Sequence, residues 1–234
     1  MIRRSRPATR EPTRDRTLRP ARPGIPGRLG LGFVFLLAAG LSACGGGANP
    51  LGNPPTVVDN GGAVGQSLSF LYFERCINPI LQSPQTIDLN GTSTTNTCAS
   101  AGCHNAATGR GGALRLIETT NLVTLLYAAA NAPPVPSPAA IRATDMYKNF
   151  YSAQAEVLIN NPAQSLLVNK PLLRNVLHGG GLIFSSVEDP NIKKFEYWIQ
   201  NPMPAGQDEF STAALNLFTG ATPHEPMGGV CNSN

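Results

Sequence analysis

The run Cys98-Ala99-Ser100-Ala101-Gly102-Cys103-His104 gathers two thiols and an imidazole in one short stretch of a 234-residue chain that has only five Cys and three His. Two thiols followed at once by a His are what covalent attachment of a haem requires. Each sulfur adds to one vinyl group of the porphyrin, and the adjacent imidazole reaches the iron as its proximal ligand. The usual spacer between such thiols is two residues, and here it is four. The extra residues must bulge outward, which the small side chains of Ala99, Ser100, Ala101 and Gly102 permit. The pattern calls for one covalently attached haem c held by Cys98, Cys103 and His104.

The opposite face of the iron then needs a sixth ligand. His178 is favoured, because Gly179, Gly180 and Gly181 follow it and missing side chains let backbone approach the ring face. Met203, in Asn201-Pro202-Met203-Pro204, is the alternative, its thioether held by flanking prolines. The choice matters: thioether sulfur raises the potential of the iron and a second imidazole lowers it. His224 and Met227 read as exposed tail residues, and Met146 as a core residue. Arg115, a planar donor that is always charged, is a candidate partner for a haem propionate.

Residues 1–43 read as an address rather than a fold. Nine Arg precede or enter a short apolar stretch, residues 29–41, too short to span a bilayer core of about 30 Å but suited to a secretory leader. It ends in Leu41-Ser42-Ala43-Cys44, which resembles a bacterial lipoprotein cleavage box. That resemblance implies Cys44 as the acylated first residue of an exported, membrane-anchored protein. Gly45 after it favours the outer over the inner membrane. Without the leader the chain has nine basic and 12 acidic residues, a net of −3, so the basic character of the whole chain gives no nucleic-acid signal. Residues 44–66, rich in Gly, Asn and Pro, read as a flexible tether.

With Cys44 lipidated and Cys98 and Cys103 on haem, Cys76 and Cys231 remain. In an oxidising compartment the two are expected to form a disulfide, the alternative being that one or both stay free.

The rest reads as helices joined by long Gly- and Pro-rich loops. A helix is expected over residues 67–81, with Pro79 interrupting its last turn. Residues 85–97 read as a polar, exposed loop. Further helices are expected over 121–130 and 139–150, and a last one opens at Asp189-Pro190, a capping residue followed by proline at the first helical position. Residues 211–234 read as a tail.

Four pieces in order resemble a c-type cytochrome domain. They are Cys76-Ile77-Asn78-Pro79-Ile80-Leu81, the motif 98–104 with Gly111-Gly112-Ala113-Leu114-Arg115-Leu116, Ser165-Leu166-Leu167-Val168-Asn169-Lys170-Pro171, and His178-Gly179-Gly180-Gly181 followed by Tyr197-Trp198-Ile199. Together they look like the single-haem domains of bacterial lipoprotein cytochromes, including the planctomycete-type group. The resemblance implies an all-α, cytochrome c-like haem domain over residues 67–210. It also implies a lipid-anchored, periplasm-facing carrier that passes single electrons between transient redox partner proteins. It departs from the group in the four-residue spacer and the Thr-rich insert before Cys98.

Two other classes stand beside this reading. A haem with an open distal site would suit an enzyme or a gas or peroxide sensor. A binding or structural lipoprotein without haem would use Cys98, Cys103 and His104 for zinc, with Cys76 or Cys231 completing the site, or close Cys98 and Cys103 as a disulfide.

Overall fold

With 24 Gly and 21 Pro, the chain has few stretches that can run as long, uninterrupted helices. A computed structural model describes residues 65–234 apart from Asn90 and Thr119. Cys44, the leader and almost all of the tether lie outside the described residues. Among the described residues, no helix is long and apolar enough to cross a membrane.

The all-α, cytochrome c-like architecture expected from the sequence does not form. The described chain is 31% helical and 13% strand, with three two-stranded sheets. Only two helices reach ten residues. Loops and hairpins occupy what would be helix in an all-α domain.

Ser69 starts the first helical run by accepting the Tyr72 N–H at 3.0 Å on its hydroxyl. The run passes from α1 (Phe70–Tyr72) through a π-helical turn (Phe73–Ile77) into α2 (Asn78–Gln82). Pro79 breaks the regularity of this helix without ending it. The wider turn ahead of it bonds the Asn78 N–H to the Phe73 carbonyl, and the chain continues past a residue with no N–H to donate.

The polar stretch after α2 is a hairpin rather than a loop. β1 (Gln85–Leu89) pairs antiparallel with β2 (Thr92–Asn96), Leu89 opposite Thr92. Its threonines are β-branched, and branching at Cβ favours extended backbone whether or not the residue is buried. On its outer edge Asp88 exchanges two backbone hydrogen bonds with Leu182, at 3.0 and 3.1 Å. The hairpin therefore ties down the segment that follows His178.

Residues 121–130 are extended instead of helical. Val123, Leu125 and Tyr127 are buried while Leu122, Thr124 and Leu126 are exposed, a period of two that only a strand-like backbone produces. β3 (Leu126–Tyr127) pairs with β4 (Pro134–Val135). The helix expected over 139–150 splits into α3 (Pro138–Arg142) and α4 (Asp145–Gln154). The split falls at Thr144, whose hydroxyl caps α4 by accepting the Tyr147 N–H at 3.2 Å.

After a one-turn α5 (Leu166–Asn169), α6 (Pro190–Gln200) forms where expected. Asp189 caps it at 2.8 Å on the Asn191 N–H, and it buries Ile192, Phe195, Trp198 and Ile199. Those side chains join Phe70, Phe73, Phe150 and Phe210 in an aromatic core. The indole N–H of Trp198 reaches the Ser69 carbonyl at 3.0 Å, so the largest core side chain leaves no polar atom unpaired.

Residues 211–234 fold onto this core. Ala214, Leu217 and Phe218 are buried, and β5 (Phe218–Thr219) pairs with β6 (Val230–Cys231). The Cys76–Cys231 disulfide is formed, with Cα atoms 6.0 Å apart. Beside it the Arg75 guanidinium donates to the carbonyls of Pro226, Gly228 and Gly229.

Candidate functional site

Between α2, the β1–β2 hairpin, α5 and α6 lies a cavity of about 440 Å³, within the roughly 300–1,000 Å³ of ligand pockets. Its walls are mainly apolar, with Ile80, Leu81, Leu114, Leu167, Phe184 and Phe195 among them. Cys98, Cys103, His104 and His178 all line it.

The four-residue spacer is absorbed in a closed turn. The His104 N–H returns to the Cys98 carbonyl at 2.9 Å, and the Cys103 N–H bonds Ser100 at 3.1 Å. Gly102 takes φ +83°, a left-handed conformation that side chains resist. The turn brings both thiols to the cavity although they are five positions apart. Neither is in a disulfide. Burial, reinforced by the neighbouring Cys103, pushes the Cys98 thiol up to about 11, so at neutral pH it stays S–H.

His104 is buried, and its Nδ1 lies 3.1 Å from the Leu114 carbonyl. A carbonyl only accepts, so Nδ1 carries the proton and Nε2 keeps its lone pair. Gly111 makes this seat possible: a Cβ there would sit 2.5 Å from His104 Nδ1. The Gly111 N–H also bonds the Cys103 carbonyl at 2.8 Å, and the Leu116 N–H bonds the His104 carbonyl at 2.7 Å. Burial above all, with His178, Lys170 and Arg115 adding to it against the Leu114 bond, lowers His104 to about 4. The imidazole is neutral at physiological pH, the form that binds metals.

His178 is oriented by the same device. Its Nδ1 lies 2.8 Å from the Gly181 carbonyl, again leaving Nε2 as the lone-pair nitrogen. The loop closes with the Gly181 N–H on the His178 carbonyl at 2.9 Å, and Leu182 is then fixed to β1. The two imidazoles face across the cavity with ring centres 6.1 Å apart and planes within 10°. Coaxial ligation of one metal asks for roughly 6 Å, from two metal–nitrogen bonds of about 2 Å and about 1 Å from each nitrogen to its ring centre. The 6.1 Å between ring centres equals that spacing.

The chain matches no protein-family profile, no curated protein and no solved structure.

The other sequence candidates lie away from the two imidazoles. Met203 is buried, its N–H on the Ser67 carbonyl at 2.7 Å, and it does not line the cavity. Arg115 is buried and also outside the lining. Its guanidinium donates to the Gly109 carbonyl at 2.5 Å and its N–H to Ser152 at 2.7 Å, so it braces the loop that seats His104. His224 is exposed. Three lining residues stand outside the site candidates drawn from the sequence: Arg110, Lys170 and Glu156. Only their convergence in space marks them. Among the described residues, no three His, Cys, Asp or Glu cluster as a metal site by themselves, and the disulfide commits both cysteines that a zinc site at Cys98 and Cys103 would recruit.

Proposed function

We propose that the cavity holds one haem c, bound through Cys98 and Cys103 and ligated by His104 and His178, and that the protein carries single electrons between transient redox partners. The observation that carries this reading is the pair of parallel imidazoles, ring centres 6.1 Å apart, in an apolar cavity lined by two thiols outside any disulfide. Each of these features also serves as a fit test for the group. A porphyrin would bring four nitrogens of its own, so two protein ligands would suffice where a bare metal would need more.

The chain's own residues then have separate tasks. Cys98 and Cys103 each add S–H across one vinyl group, sulfur to one carbon and hydrogen to the other, so no oxidant is consumed. Leu114 and Gly181 hold the imidazoles in the tautomer that presents Nε2. Ile80, Leu167, Phe184 and Phe195 exclude water, leaving little to reorganise when the charge of the iron changes by one. When bound, the haem supplies the ferric/ferrous couple. A haem held by both His104 and His178 would leave no open position, which an enzyme or sensor would need. Anchoring through Cys44 to the periplasmic face of a membrane, the outer one favoured, completes the proposal.

The test is covalent mass. Full-length chain made with the haem-maturation machinery should gain the mass of one haem and stain for haem on a denaturing gel. Cys98→Ala combined with Cys103→Ala should gain none. A colourless wild type without added mass rejects the reading.

A further inference from the structure

We propose that Arg110 and Lys170 form a carboxylate-binding edge of the cavity that receives the two porphyrin propionates and fixes which way round the ring lies. This rests on the haem reading above. An apolar pocket can hold the macrocycle, but it gives two ionised carboxylates no counter-charge. Among the lining residues, Arg110 and Lys170 supply lasting positive charge.

Each is placed and available. The Arg110 N–H bonds the Cys103 carbonyl at 2.9 Å, which fixes its backbone against the haem-attachment turn. Its side chain is exposed, with no hydrogen-bond or ion-pair partner among the described residues. The Lys170 ammonium stands 3.5 Å from Glu156 Oε2 without a hydrogen bond, and that buried oxygen has no other hydrogen-bond partner. Lys170 thus keeps donors to spare, in the wall of the cavity that His104 also lines. Arg115, the candidate from sequence, is committed to Gly109 outside the cavity.

Glu156 divides the labour. A carboxylate in the same wall repels a propionate, and Lys170 is partly spent in offsetting it. Arg110 has no such competitor, and its planar fork matches a carboxylate. It therefore provides the larger share of the recognition.

Full-length haem-free chain, with Cys98 and Cys103 as free thiols and the Cys76–Cys231 disulfide intact, is titrated with ferric haemin and with haemin dimethyl ester, whose carboxylates are blocked. Haemin should bind about tenfold tighter than the ester, an exposed charge pair on each propionate being worth up to about 1 kcal/mol. Arg110→Gln, an exposed change that leaves the fold alone, should cut the preference to about threefold, with Arg110→Lys restoring part of it. Equal binding of haemin and ester, with a low-spin spectrum from both, overturns the carboxylate edge and leaves the haem reading standing. Failure of both ligands to bind also overturns the edge, and the covalent-mass test judges the haem reading separately.

Discussion

His104 and His178 meet in one cavity but stand on unlike supports. His104 is buried in a turn knitted by backbone bonds among Cys98, Cys103, Gly111 and Leu116, with glycine pressed against its ring. His178 is half-buried on a short loop whose neighbour Leu177 is 93% exposed, and the loop is held through the Asp88–Leu182 bridge to a solvent-facing hairpin. Local sequence builds the first support. Distant segments build the second. A side chain of the first kind keeps its geometry whenever the motif folds, whereas one of the second kind depends on β1 staying paired.

The largest effect should come from breaking the tighter support. Gly111→Val places a Cβ 2.5 Å from His104 Nδ1, so the ring must leave its seat. Covalent haem should persist, since the thiols are untouched, but the low-spin absorption spectrum should be almost wholly lost. A normal spectrum in this variant contradicts the seating described.

Acid should next separate His104 from Glu74, a buried group shifted in the opposite sense. His104 is lowered to about 4 by burial, so the unfolded chain binds more protons than the folded one between about 6.5 and 4. Its contribution is fully present above about 6.5 and is lost as pH falls through about 4. Glu74 works in the opposite sense. It is buried in the aromatic core, with one oxygen on the Val123 N–H and the other unpaired, and burial raises it to about 7. Its contribution is present below about 4.5 and is lost as pH rises through about 7. In haem-free wild type the two slopes should largely cancel. In Glu74→Gln, urea unfolding should expose an acid loss on the order of 2 kcal/mol between pH 7.5 and 4.5, and His104→Gln should remove it. Equal pH profiles for wild type and Glu74→Gln would contradict this assignment.

The gentlest break is at the looser support. Leu182→Pro deletes the N–H that Asp88 accepts, at a cost of about 1 kcal/mol. Haem attachment should be unaffected, while part of the population shifts to high spin. If the spectrum stays entirely low-spin, the hairpin does not hold His178.

The same contrast separates what could be read in the sequence from what could not. Residue type and close spacing announced Cys98, Cys103 and His104. An acid before proline with an apolar stripe behind it announced α6, and the cysteine count announced the Cys76–Cys231 bridge. The all-α expectation failed where local pattern is ambiguous. Leu122, Val123, Leu125 and Leu126 form an apolar run in which exposed leucines conceal the period of two. Thr92, Thr94 and Thr95 are so exposed that no buried face marks a strand, and their partner across the hairpin, together with Leu182 on its far edge, is set by tertiary pairing. Arg110 and Lys170 lie 60 positions apart, and tertiary packing alone sets them on one cavity wall. Met203 had a favourable local setting, but the fold turns it toward Ser67.

Magnetic circular dichroism of the haem-loaded protein, with His178→Ala beside it, tests the central claim most directly. Two imidazole ligands predict a low-spin spectrum without the long-wavelength sulfur-to-iron band, and loss of the low-spin signal in His178→Ala. A sulfur-to-iron band in wild type, or a low-spin signal unchanged in His178→Ala, would contradict ligation by His104 and His178.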